Sequence, residues 1–252
     1  MNLLTIADGY GDSVAVPPWY PDYIKWPELI ALMARDINLT NLSRYGAGNE
    51  YIVNCLQHNI KDQNCVLVQW AVPDRLDLVL DHQSDFWPDV IATDPVYNNN
   101  IIRVGEDKFW LSNKSTVESV IEYHDKFISL RQHQLRSQLY INYATLLLNQ
   151  QNIDFKFMLT DDSAYLEGLQ QHNWLWQSPW QGMNRFRNYS KYAELDLGLV
   201  QPIPLIFFDF IKTFIMPQVN LSWRNNVQIA GVENMLYRKY NQALKNRPND
   251  SN

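Results

Sequence analysis

The apolar residues of this chain come in two kinds of pattern. Leu3 to Ala7 is a short run that ends at the turn Asp8-Gly9-Tyr10-Gly11-Asp12-Ser13. Ile37 to Leu42, Cys65 to Val72 and Phe155 to Leu159 are similar runs, the last closing at Thr160-Asp161-Asp162. Runs of this length bounded by turn residues read as buried strands. Between them the period changes. Trp26 to Met33 reads as a helix, and Ile52, Leu56 and Ile60 recur four apart after Gly48-Asn49, marking a second. From Ser115 to Asn149 the apolar positions keep helical spacing, with Ser115 and Glu118 placed as a capping box, which predicts one long helix, straight or kinked. Ile229, Val232, Leu236, Tyr240 and Leu244 predict a C-terminal amphipathic helix at about 227–246, with cations near its close that suit its dipole. Strand, loop and helix in repetition predict an α/β fold: a mainly parallel sheet between helical layers, three-layer α/β/α and flavodoxin-like, as one domain over 1–252.

Two stretches depart from that rhythm. Residues 84–113 carry Trp87-Pro88, Asp94-Pro95 and Asn98-Asn99-Asn100, and read as an insertion or long loop. Between Trp174 and Tyr192 aromatic residues crowd together, a composition that suits a lid packed on the domain or a surface that stacks on a sugar. Packing is the commoner use of such residues.

Composition narrows the function classes. Lys and Arg number 21 against 27 Asp and Glu, a net charge of -6 without the clustered positive charge that nucleic acid requires. The two cysteines, Cys55 and Cys65, form no CxxC pair and read as small apolar residues in a reducing compartment. Met1 to Tyr10 has no basic region ahead of Asp8 and does not read as a secretory signal. Pro202 to Pro217, interrupted by Asp209 and Lys212, is too short for a membrane span. No P-loop, GxGxxG or HExxH motif is present, so the expectation is cofactor-free chemistry with no metal, in a cytoplasmic protein that contacts neither nucleic acid nor membrane.

The candidate chemistry gathers at the ends of the expected strands. Ser13 follows the first strand, where open α/β sheets present ligand-binding loops. Gly46, Gly48 and Asn49 follow the second and lead into a helix, so backbone N–H groups and the Asn49 amide can converge on negative charge. The same residues also suit a plain turn with Asn49 as N-cap. Asp12, Trp70 and Arg75 are the expected substrate contacts beside them.

Taken in order, Gly11-Asp12-Ser13, the Gly and Asn loop from Leu42 to Ile52, and Val66 to Arg75 resemble the SGNH hydrolase superfamily, the GDSL esterases and lipases. The likeness covers Leu3 to Leu80 most clearly, and the second block is similar to the GxSN type of phage-encoded members. It implies Ser13 as nucleophile, with the N–H groups of Ser13 and Gly48 as oxyanion donors. The third block lacks the family's asparagine, and Asn49 is the available substitute. Where the family's DxxH block supplies the catalytic histidine, the chain reads Asp196 to Pro202 with Gln201 in its place. An amide is no base at neutral pH. Of the five histidines, His82 and His172 are the candidates for a relocated base, while His58, His124 and His133 fall in helical pattern. Two functions follow from the resemblance. One is a serine ester hydrolase acting on a small-molecule or carbohydrate ester, a sugar O-acetyl group being the favoured substrate. The other is a virion structural or assembly protein on a catalytically degenerate scaffold, with virion proteins as partners and the host cytoplasm or the virion as its place.

Overall fold

The computed structural model describes residues 1–8, 18–44, 46–73, 75–80, 101–104, 107–112, 126, 129–160, 186–197, 199 and 202–248. In chain order these form β1 (Asn2–Ala7), α1 (Trp26–Met33), β2 (Asn38–Asn41), α2 (Asn49–Asn59), β3 (Cys65–Trp70), β4 (Leu76–Leu80), β5 (Ile101–Val104), β6 (Asp107–Ser112), α3 (Leu130–Gln150), β7 (Asp154–Leu159), α4 (Pro204–Phe210) and α5 (Asn226–Asn246). A π-helical turn, Ile211–Ile215, extends α4.

Four strands pair in parallel in the order β2-β1-β3-β7, with Leu3 opposite both Leu39 and Cys65, and Cys65 opposite Asp154. Alternation along them builds two cores, because a strand turns successive side chains to opposite faces. Leu3, Ala7, Cys65, Leu67 and Met158 pack on residues of α1, α4 and α5, among them Trp26, Leu29, Phe207 and Leu236. Leu4, Ile6, Val66, Val68, Trp70, Phe157 and Leu159 pack on α2 and α3 through Ile52, Leu56, Ile141, Ala144 and Leu148. Both faces of the sheet are covered, which is why β3 reads as a continuous buried run. The expected three-layer α/β fold is present, and its strand order follows the flavodoxin-like pattern as far as four strands carry it.

Two expectations change. The long helix over 115–149 does not run unbroken: Ser129 is extended (ψ 149°) and its hydroxyl accepts from the N–H of Gln132 at 3.2 Å, so α3 starts at Leu130. The Ser115 and Glu118 pair lies outside the described residues. Within the stretch 84–113, β5 and β6 are strands rather than loop, and they join β4 in an antiparallel sheet of order β4-β6-β5. The first strand ends at Ala7, where its apolar run ends, and Asp8 is the residue at its tip.

Of the aromatic stretch, Phe186, Tyr189 and Tyr192 are described; Phe186 and Tyr192 are buried, and Tyr189 is 58% exposed. Phe186 meets Phe210 and Phe214 edge-on, and the Tyr192 hydroxyl donates to Glu233. These two rings pack on the domain. Among the described residues no helix is long and apolar enough to cross a membrane.

Candidate functional site at the carboxyl edge of the sheet

The helix after β1 lies on one face of the sheet, and α3, which follows β3 in the chain, lies on the other. Chain leaving two adjacent strands in opposite directions opens a crevice between their carboxyl ends. A buried polar cluster sits there. Asp8, 1% exposed, accepts from Gln69 Nε2 at 3.3 Å and lies 3.1 Å from Thr160 Oγ1 and 3.2 Å from Arg75 Nη1. Gln69 Nε2 also reaches Thr160 Oγ1 at 3.0 Å, and the Thr160 hydroxyl has the Trp70 carbonyl as a second acceptor at 2.8 Å. Arg75 Nη1 further donates to the carbonyl of Ala47 at 3.4 Å, which ties the end of β1 to the loop before α2. Two buried polar atoms of this cluster are left without a hydrogen-bond partner, Gln69 Oε1 and Arg75 Nε. Buried orphans of this kind are rare and ask for a reason.

The loop before α2 is built tightly. Gly46 has φ 82°, a left-handed conformation that glycine adopts without steric cost. Gly48 is the N-cap, and Asn49 the first helical residue rather than the cap. The N-terminal N–H groups of α2 are met by a carboxylate from another element: Asp77 of β4 accepts from Gly48 N and from Tyr51 N, both at 2.8 Å. An anion is favoured at that end of a helix. Burial nevertheless pushes the Asp77 carboxyl up to about 7, with the two N–H bonds opposing the shift. Asn49 is clamped as well. Its Nδ2 donates to the Ala71 carbonyl (3.3 Å) and to Ser137 Oγ (2.9 Å), and its Oδ1 accepts from the Ala71 N–H (2.9 Å).

The sequence candidates are thus distributed unevenly. Arg75, Gly48 and Asn49 come together at the carboxyl edge, the last two already holding partners from β4, α3 and the segment after β3. Trp70 does not face the crevice: it is wholly buried in the α2 and α3 core, edge-on to Phe157. Asp12, Ser13, His82, His124, His172 and Gln201 lie outside the described residues. His58 stands exposed in the last turn of α2, which the β2-α2-β3 connection puts at the opposite, amino edge. His133 is buried near the start of α3, one turn before Ser137 and at the carboxyl edge. Sequence pattern alone passed over Asp8, Gln69, Thr160, Asp77 and Ser137. Gln69 left a trace, as the one polar residue of an otherwise apolar buried strand.

Cys55 and Cys65 are free and buried, and desolvation raises each thiol to about 12. They are apolar packing groups rather than nucleophiles. No family model, curated protein or solved structure matches the chain.

Proposed function

We propose that this crevice is the substrate site of an SGNH-type serine ester hydrolase, with Ser13 as nucleophile. The observation that carries the reading is the buried polar cluster where β1 and β3 part, with Gln69 Oε1 and Arg75 Nε left unsatisfied. A ligand with a donor and an acceptor would complete both, and such crevices are where open α/β sheets bind their ligands. The residues from Gly9 to Ser13 continue directly from Asp8, so chain continuity brings the serine within a few residues of the cluster. In this reading Ser13 attacks an ester carbonyl, its proton passes to a base, the alcohol leaves, and water releases the acyl group. Sugar O-acetyl esters are the favoured substrate, by analogy with the family. His133 joins His82 and His172 as a candidate base, on its burial at the same edge.

A second reading has its own observation. The Gly48 N–H and both hydrogens of the Asn49 amide are engaged within the fold, leaving Ser13 N–H as the remaining proposed oxyanion donor. Losing such a donor costs about 3–4 kcal/mol of transition-state stabilisation. A scaffold that has exchanged catalysis for assembly in a virion fits that arrangement.

One experiment separates the two. The purified chain is treated with a fluorophosphonate probe and with p-nitrophenyl acetate, alongside Ser13→Ala. Labelling and turnover that vanish in the variant support the hydrolase. Absence of both in the wild-type protein sinks it and favours the structural role.

A further inference from the structure

A cavity of about 190 Å³ lies at the amino edge of the parallel sheet, away from the crevice. Cys65 and Asp154, opposite one another as the first residues of β3 and β7, form one wall together with Lys156. Gln218, Val219 and Asn220 form the other.

The backbone fixes both walls. On β7, Asp154 and Lys156 stand two residues apart and so share a face, with Cα atoms about 6.6 Å apart at about 3.3 Å per residue. It is the face that Cys65, Leu67 and Met158 turn toward α1, α4 and α5. The opposite lip follows the π-helical turn Ile211–Ile215, a rare geometry that recurs at functional sites. The N–H groups of Gln218 and Val219 both donate to the Ile215 carbonyl at 3.0 Å, which holds the lip as a tight turn.

The lining selects by charge and size. A simple anion gains Lys156 but is repelled by Asp154, and a simple cation meets the reverse. A molecule that carries both charges a few ångströms apart satisfies both residues. Burial lowers the pKa of Lys156, with Asp154 opposing the shift, so a carboxylate placed there would restore what the ammonium loses in solvation. Gln218 and Asn220 add carboxamides that donate and accept. Val219, 8% exposed, and Cys65, 1%, make the floor apolar. The volume is below the roughly 300–1,000 Å³ of pockets that hold drug-sized ligands, which limits the ligand to a small molecule.

We propose that this cavity binds a free α-amino acid with a short apolar side chain, its carboxylate at Lys156, its ammonium at Asp154 and its side chain against Val219 and Cys65. The site is separate from the crevice and does not rest on the hydrolase reading.

Isothermal titration of the full chain with L-valine, taken to about 20 mM because so small a ligand has few contacts to gain, tests the proposal. The expected result is saturable binding of one molecule per chain. N-acetyl-L-valine, which lacks the ammonium, and L-valinamide, which lacks the carboxylate, should each bind about tenfold more weakly or worse. Lys156→Met and Asp154→Asn should weaken valine binding to a similar degree. Asp154 is exposed and Lys156 half-buried, so both variants should keep the wild-type circular dichroism spectrum. Absence of valine binding at the highest concentration overturns the proposal. So does N-acetyl-L-valine binding as tightly as valine, which would make the cavity a plain anion site, or valine binding indifferent to both substitutions, which would put the ligand elsewhere.

Discussion

Asp8 Oδ2 and Arg75 Nη1 meet at 3.2 Å where β1 ends, joining the first strand to a residue 67 positions further along the chain. The carboxylate is 1% exposed and the guanidinium side chain 16%, so the pair lies below the surface at the carboxyl edge of the sheet. Removing one member leaves the other charge buried without its partner at 3.2 Å. Arg75→Leu is expected to lower the unfolding free energy in urea by about 3 kcal/mol, the lower end for breaking a buried pair. Adding Asp8→Leu in the same chain should cost less than the sum of the two single changes. A loss under about 1 kcal/mol for Arg75→Leu would show that the pair is solvated like a surface ion pair.

Asn49 holds both polar groups of the Ala71 backbone. Asn49→Ala leaves a buried N–H, a buried carbonyl and the Ser137 hydroxyl short of a partner, a cost of about 2–3 kcal/mol. Amide hydrogen exchange gives the sharper readout. Protection of the Ala71 N–H should fall in the variant by more than global destabilisation explains, and an equal loss of protection across all amides would speak against a local clamp.

Gly48 has an unremarkable φ of -97°, so its need for glycine is one of space. A Cβ there would stand 2.8 Å from Asp77 Oδ2 and 3.0 Å from Asp77 Cγ, and Asp77 is held by two N–H groups. Gly48→Ala is expected to destabilise by about 1–3 kcal/mol, as overpacking does. In an Asp77→Ala background the penalty should shrink, and a thermal-melt double-mutant cycle that returns simple additivity is the contrary outcome.

The Asp77 carboxyl, raised from 3.8 to about 7 by desolvation, ties stability to pH. The folded state holds this proton more firmly than the unfolded chain. Its contribution is therefore complete below about pH 3.8 and is lost as pH rises through about 7. Relative to Asp77→Asn, the wild-type protein should lose up to about 1.4 kcal/mol per pH unit inside that window and nothing more above it. Chemical denaturation of both proteins between pH 4 and 8 measures the difference. A difference that grows in favour of the wild-type chain as pH rises would mean that the two N–H bonds outweigh burial.

The four parallel strands and most helices were legible because their cause is local. α1 runs from Trp26 to Met33 as its apolar period and Pro27 indicate, and the four parallel strands fall on the four apolar runs to within a residue or two. A fully buried strand must be apolar along its length, and this can be read without knowing its neighbours. The start of α3 at Leu130 was hidden because helical spacing in the sequence continues across Ser129, whose extended backbone and N-cap bond mark the helix end.

The site divides along the same line. The sequence by itself marked Gly48, Asn49 and Arg75 as residues that meet at one edge, through the order of loops after strands. Tertiary structure decided what each of them does there: Asp77 arrives from 29 residues away to occupy the helix end, Asn49 turns to the Ala71 backbone, and Trp70 goes into the core. Local pattern reports which residues suit a turn, a strand or a helix, whereas a hydrogen bond or a buried charge is settled by whatever the rest of the chain brings within about 3 Å.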